Sequence, residues 1–263
     1  MIRDKLFYLG DFFVNIKDKN DLINKINLSL IKTKNQPLLF FYLNSGSYYY
    51  LSSRSNYKKS MLKADYCYLN SFYIKRLFDK LGFTLEKINA EDFINDLFYL
   101  SQKKNKKIFL LGSETAVLEK AITNVKSMYK TLLIGGQDGF FKENNQPIKI
   151  INNFSPDILI VGLGSGYQET WIVENLSKFK KIKTIITVGN FIDVLGGERK
   201  IIPNWVKKAQ LEWLYRLVKE PKRLWKRYLI GGFVSFYFFI RSLRLKRPQN
   251  YTLLSKKEID HQS

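Results

Sequence analysis

The chain has 263 residues, of which 45% are apolar and 15% aromatic, and its formal net charge at pH 7 is +21. This length and composition suffice for one large α/β domain with a full hydrophobic core and a smaller appendage. Cys67 is the single cysteine and His261 the single histidine. These counts exclude an internal disulfide and a cysteine-based zinc cluster, and they argue strongly against catalysis by Ser-His-Asp or Cys-His groups, since His261 stands in a polar tail.

The first part of the chain predicts a cytoplasmic α/β protein. Residues 1–7 contain no long apolar stretch before a small-residue cleavage site, so they do not resemble a signal peptide. Further along, short apolar runs predict buried strands at residues 37–43, 107–111, 130–134, 157–161 and 183–188. Between them lie helical patterns such as residues 113–129, where Ser113 can cap the first turn. This alternation predicts a parallel, Rossmann-like sheet with helices on both faces.

Two glycine-rich turns follow predicted strands at the end where ligands of such sheets bind. They read LGSET at 111–115 and VGLGSGYQETW at 161–171. Each opens a helix, so its backbone N–H groups and the positive helix end can hold an anion such as a nucleotide diphosphate. The glycine spacing is not G-x-G-x-x-G and no Walker lysine is present, which gives NAD and ATP little support. For an isolated glycine, a tight turn is the simpler explanation.

The carboxyl-terminal part is aromatic and cationic. Residues 199–248 contain fourteen lysines and arginines against two glutamates, a net +12, together with three of the four tryptophans. After Pro203 the pattern predicts two amphipathic helices separated by Pro221. The longest uncharged apolar run, residues 229–240, falls short of the roughly 20 residues that span a bilayer. We therefore predict a core at 1–200, a membrane-associating appendage at 201–246 and a flexible polar tail at 247–263.

This charge admits two kinds of anionic partner. Four lysines are candidates for contact with anionic lipid headgroups at about 1 kcal/mol each, with ordinary solvation as the alternative: Lys207, Lys208, Lys222 and Lys226. Trp213, Trp225 and Tyr228 can seat the helices at the membrane interface, although Trp213 can equally pack against the main domain. Charge alone also allows a nucleic acid, which we consider the weaker alternative.

An ordered series of motifs resembles the WecG/TagA/CpsF glycosyltransferase family. The motifs are IFLLG at 108–112, GQDGFF at 136–141, SPDILIVGLGSGYQETWI at 155–172, VGNFIDVLGG at 188–197 and LEWLYRLVKEPKRLW at 211–225. The resemblance implies an inverting transferase that moves a hexose or N-acetylhexosamine from a UDP-sugar to a polyprenyl-diphosphate-linked sugar. It also implies work on cell-envelope polysaccharide at the inner membrane face, without a cofactor or a tightly held metal, and leaves a homo-oligomer open.

The same resemblance assigns candidate residues on the sugar and acceptor side. Asn44 matches the asparagine of a T-x-N strand end. In ADYCYLNS at 64–71, Asn70 stands where the family has the aspartate proposed as general base, and an amide cannot accept a proton near neutral pH. Asp65 or Asp92 could replace that base, Asn70 could only orient the acceptor hydroxyl, or the chain could be a catalytically impaired UDP-sugar-binding homologue. Lys87 stands for a family arginine near the phosphates.

On the nucleotide side the resemblance points to the glycine turns and the appendage. Gly112, Gly162, Gly164, Gln168, Glu169 and Asp193 match family positions that line the nucleotide. Helix capping and loop hydrogen bonding are the alternative roles of the three polar ones. Arg216, Arg223 and Arg227 match basic positions expected to close over the site and stabilise the departing UDP.

Overall fold

The computed structural model describes residues 6–31, 36–54, 56–143, 145–199 and 202–244. The strands are β1 Phe7–Leu9, β2 Phe12–Val14, β3 Leu38–Leu43, β4 Tyr66–Leu69, β5 Ile108–Gly112, β6 Ile134–Gln137, β7 Ile158–Gly162 and β8 Thr184–Thr187. The helices of the main domain are α1 Lys19–Ile31, α2 Ser45–Ser53, α3 Tyr57–Leu62, α4 Phe72–Lys80, α5 Ala90–Lys103, α6 Thr115–Met128, α7 Asn145–Phe154, α8 Gln168–Glu174 and α9 Phe191–Leu195. Three more follow: α10 Asn204–Lys208, α11 Glu212–Lys219 and α12 Pro221–Arg244.

Six strands form one parallel sheet in the order β4-β3-β8-β7-β5-β6, and β1 and β2 form a separate antiparallel hairpin. The predicted α/β class with a parallel sheet and a helical appendage is thus confirmed. Neither β4 nor the hairpin was among the predicted strands. The strand predicted at 130–134 was misplaced, since β6 begins only at Ile134. Leu132 instead closes a turn by donating its N–H to Tyr129.

Alternating side chains of the strands build a core on each face of the sheet. Leu39, Phe41 and Leu43 of β3 point to one face, together with Phe109 and Leu111 of β5. The residues between them point to the other face, where α1, α5, α6 and α9 pack. Because both faces are covered, β3, β5 and β7 are apolar along almost their whole length.

The turn into α6 differs from the prediction that Ser113 caps this helix. The residue before the helix is Glu114, and Ser113 adopts φ +65°. Its hydroxyl donates instead to the Asp193 carboxylate at 2.7 Å. This contact joins the turn after β5 to α9.

The appendage packs on the main domain through α12. Pro221 is the first residue of this helix, where its missing N–H costs nothing, so the predicted break is confirmed. Leu224, Gly231, Ser235 and Phe239 are buried along one side of α12. None of the helices within the described part of the chain has the length and apolar character needed to cross a membrane. The predicted flexible tail lies outside the described residues.

Candidate functional site

A cleft of about 1110 Å³ lies beyond the carboxyl ends of four strands. Asn44 follows β3, Asn70 follows β4, Gly164 follows β7 and Gly189 follows β8, and all four line it. In the chain β3 is followed by β4, which lies on one side of β3 in the sheet. On the other side of β3 lie β8 and then β7. Such a change of direction opens a crevice at the sheet edge, where ligands of α/β sheets bind.

The helices α2, α4 and α5 are among those that begin at this cleft, so their positive ends face it. The Asn44 side chain caps α2 by accepting from Ser47 N–H at 3.1 Å, and the Ser71 hydroxyl caps α4 by accepting from Ile74 N–H at 3.3 Å. Asn89 precedes α5 and also lines the cleft. Helix starts of this kind stabilise anions. The cleft therefore favours a negatively charged ligand.

The charged side chains that line the cleft are mostly positive, like the helix starts. Among the described residues, eight cationic side chains line the cleft: Arg54, Lys87, Arg199, Arg216, Lys219, Lys222, Lys226 and Arg227. The carboxylates among the described lining residues are Glu91, Glu212 and Glu220, so the formal excess is 8 − 3 = +5. Most of the cations come from the appendage, which closes the cleft opposite the sheet.

Ion pairs between described residues tie the appendage to the main domain beside the cleft. Lys87 Nζ contacts the Glu212 carboxylate of α11, and both side chains are largely buried. Arg199 bridges two acids, with Nε 3.1 Å from Asp193 Oδ2 and Nη1 on the Glu220 carboxylate. The main-domain partners, Lys87 and Asp193, were both predicted to bind substrate. In this closed arrangement they are therefore already engaged by the appendage or its linker.

Arg227 reaches from α12 into the floor of the cleft. Its guanidinium lies against the Gly46 backbone, where an added Cβ would be 2.6 Å from Nη2, and 5.5 Å from the centre of the Tyr50 ring. Arg54 lies 4.9 Å from the same ring. Arg216 lines the cleft as predicted, and the Arg223 side chain lies outside the described part of the structure.

The carboxylates suggested as substitutes for the general base lie elsewhere. Asp65 precedes β4 and lies at the amino end of that strand, away from the cleft. There its Oδ2 accepts from Leu39 N–H at 3.0 Å. Asp92 does not line the cleft, and its carboxylate accepts from Asn89 N–H at 2.7 Å in a capping box. Asn70 does line the cleft. The suggestion that Asp65 or Asp92 replaces the base does not fit these positions.

Gln168 and Glu169 lie beneath the cleft lining and are fully buried. The Glu169 carboxylate accepts from Gly166 N–H and from Gln168 Nε2, both at 2.7 Å. Burial raises the pKa of Glu169. Gln168 Nε2 also lies 3.3 Å from the Tyr42 hydroxyl, and burial, with the charge of Glu169 as a lesser cause, raises the pKa of Tyr42 to about 12. These contacts fix the second glycine turn. Of the three residues, Tyr42 is the one that lines the cleft.

The predicted glycines differ in their surroundings. A Cβ on Gly112 would lie 2.6 Å from Gly162 O, so these two glycines let the ends of β5 and β7 approach closely, away from the cleft lining. Gly164 has φ +91° with open space beside it, and it does line the cleft. Of the predicted glycines, Gly164 is the one placed to meet a ligand.

Several lining residues were missed by the sequence interpretation. Tyr50 lies on α2, Arg54 directly follows that helix, and Glu91 lies in the first turn of α5. Glu212 and Glu220 had been counted only as exceptions in a basic segment. A strand prediction for β4 would have drawn attention to the two helix starts after it. No sequence signal identifies Arg54.

Comparison with known proteins decides the family. The sequence model of the glycosyl transferase WecG/TagA/CpsF family matches residues 9–250. The chain belongs to this family. Within it, a Bacillus subtilis (strain 168) relative named N-acetylglucosaminyldiphosphoundecaprenol N-acetyl-beta-D-mannosaminyltransferase is 28% identical over 95% of this chain and 91% of its own length. Relatives of the same name from Staphylococcus aureus strains MW2 and MRSA252 are 27% and 28% identical, over 52% of this chain and 54% of theirs.

Proposed function

We propose that this chain transfers a hexose or N-acetylhexosamine from a UDP-sugar to a polyprenyl-diphosphate-linked sugar during synthesis of a cell-envelope polysaccharide. The observation that carries the proposal is the cationic cleft at the sheet edge, with helix starts on its floor and the appendage as its roof. The family membership and the activity for which the relatives are named agree with it.

The chemistry follows from the lining residues. A departing nucleoside diphosphate gains negative charge in the transition state, and fixed guanidinium groups stabilise that charge. Arg216 and Arg227 are the described arginines of the appendage that line the cleft. Lys87 joins them when the diphosphate takes the place of the Glu212 carboxylate. A hydroxyl of the acceptor then attacks the anomeric carbon from the opposite side, which inverts its configuration.

The sugar and acceptor groups meet the asparagines on the floor. Asn44 uses its Oδ1 in the α2 cap, so a ligand would meet its Nδ2 hydrogens. Asn70 uses Nδ2 for two contacts within the protein, so a ligand would meet its Oδ1. One donor and one acceptor side by side suit sugar hydroxyl groups, which both donate and accept.

Transfer is tested with purified protein, UDP-N-acetylmannosamine and other UDP-hexoses, and a short-chain prenyl-diphosphate N-acetylglucosamine. We expect UDP binding by calorimetry and a product one sugar heavier by mass spectrometry. UDP binding without transfer from any donor would support an impaired, UDP-sugar-binding homologue. The absence of UDP binding would defeat the proposal.

We further propose that the appendage rests on the inner face of the cell membrane. On α12, Trp225, Leu229, Phe233 and Tyr237 are exposed at successive helical turns, opposite the buried side. On α11, Val218 is likewise exposed. Exposed cations lie beside the apolar surface of α12, among them Lys222, Lys226 and Arg241. The Trp213 ring meets Tyr228 at a centroid distance of 6.3 Å within the appendage. An amphipathic helix with this composition binds anionic bilayers.

Vesicle flotation tests this docking with two matched variants. Phe233 is 73% exposed on α12, and Phe140 is 74% exposed in the loop after β6. We expect Phe233→Ser to weaken binding to phosphatidylglycerol vesicles several-fold and Phe140→Ser to leave it unchanged. Equal losses in both variants would remove the assignment of this face. Tighter binding to a DNA duplex than to vesicles at the same salt would favour a nucleic acid partner.

A further inference from the structure

The surroundings of Asn70 suit an amide and not a carboxylate. Asn70 Nδ2 donates to Ile88 O at 2.8 Å and to Asn89 Oδ1 at 3.1 Å. Both partners are oxygen acceptors. An aspartate at this position would bring its carboxylate against a backbone carbonyl that cannot turn away, which disfavours the charged form. Residue 70 is therefore a hydrogen-bonding position here, and the proton of the acceptor hydroxyl needs another base.

Three carboxylates among the described residues line the cleft. Glu212 and Glu220 belong to the appendage and are held in ion pairs with Lys87 and Arg199. Glu91 belongs to the main domain and lies in the first turn of α5. It comes two residues after Asn89, whose side-chain oxygen accepts a hydrogen bond from Asn70. The position of Glu91 relative to Asn70 is thus set by the sheet edge and does not depend on the appendage.

We propose that Glu91 is the general base of the transfer reaction, an inference that rests on the proposed function. In this step the acceptor hydroxyl gives its proton to the Glu91 carboxylate as its oxygen forms a bond to the anomeric carbon. The bond from that carbon to the diphosphate oxygen breaks, and the nucleoside diphosphate leaves with the electron pair. The protonated Glu91 then returns the proton to water. Asn70 Oδ1 accepts from a second hydroxyl of the acceptor and so orients the sugar.

The test compares Glu91→Gln, Asn70→Asp and a matched control, Glu86→Gln. Glu86 is an exposed glutamate five residues earlier in the chain, outside the cleft. Loss of a general base lowers turnover by about 10²–10⁴-fold. We expect that loss in kcat for Glu91→Gln, with UDP affinity within about threefold of wild type. Glu86→Gln should keep wild-type turnover, and Asn70→Asp should not exceed it.

The outcomes separate this proposal from the proposed function. Glu91→Gln with wild-type turnover overturns the assignment, and so does turnover that appears only in Asn70→Asp. A wild-type chain that binds UDP but transfers no sugar also overturns it, while its nucleotide site remains. Loss of UDP binding in Glu91→Gln makes Glu91 a ligand and not a base. No UDP binding by the wild-type chain defeats the proposed function itself.

Discussion

Docking of the appendage depends on the absence of a side chain at Gly231. A Cβ there would lie 2.0 Å from the Ser45 carbonyl oxygen of α2, whereas ordinary contact begins at 3.4 Å. Gly231→Ala therefore requires α12 and α2 to move apart by about 3.4 − 2.0 = 1.4 Å. Overpacking of this kind costs about 1–3 kcal/mol. The higher helix propensity of alanine returns roughly 1 kcal/mol.

The neighbouring Gly232 gives a matched control, because a Cβ there meets nothing within 4 Å. Gly232→Ala receives the same gain in propensity without the clash, so the two variants should differ by about 1–3 kcal/mol. At roughly 2–4 °C per kcal/mol for a chain of this size, the melting temperature of Gly231→Ala should lie about 2–12 °C below that of Gly232→Ala. Its UDP affinity should also fall, since the roof of the cleft is displaced. Equal melting temperatures and equal UDP affinities would refute this account of docking.

Two further predictions concern charge at the site. Arg227→Ala should weaken UDP binding about tenfold or more in calorimetry, because a charge-assisted hydrogen bond contributes about 1.5–3 kcal/mol. The control is Arg241→Ala, which removes an exposed arginine of the same helix outside the cleft and should leave UDP binding unchanged. Equal losses of affinity in the two variants would point to a general effect of charge. Burial raises the pKa of Glu169 above 4.5, so the native state binds its proton more tightly than the unfolded state, and stability is lost as pH rises from the unfolded pKa toward the native one. Glu169→Gln cannot titrate, and its melting temperature relative to wild type should increase over this window; a constant difference from about pH 4 to pH 7 would contradict the argument.

Much of the main domain was predictable because its strands are buried on both faces. The apolar runs that became β3, β5, β7 and β8 needed no partner to be recognised. β4 was harder, since YCYL at 66–69 is short and rich in tyrosine. β6 was misplaced because its two central residues are Gly135 and Gly136, which carry no apolar signal. In β6 the glycines make room for Phe154 and for Leu118 of neighbouring helices, a requirement of packing that the local pattern does not contain.

The site was predicted less completely than the fold. Asn44, Asn70, Gly164 and Arg227 were expected near the ligand, and the structure brings them to one cleft. Asp65 was suggested beside Asn70 because the two are close in the chain. The four extended residues of β4 lie between them, however, and place Asp65 at the amino end of the strand and Asn70 at its carboxyl end.

From its residues alone, this chain specifies a cationic α/β protein with a basic amphipathic end, because hydrophobic period and charge are local properties. Which charges meet was decided only by the tertiary structure. The pairing of Lys87 with Glu212, more than a hundred residues away, depends on α12 docking against α2. The contact of Asn70 with Asn89, two residues before Glu91, likewise depends on the start of α5 lying at the end of β4. Long-range contacts of this kind follow from how helices and strands pack, and no spacing along the sequence encodes them.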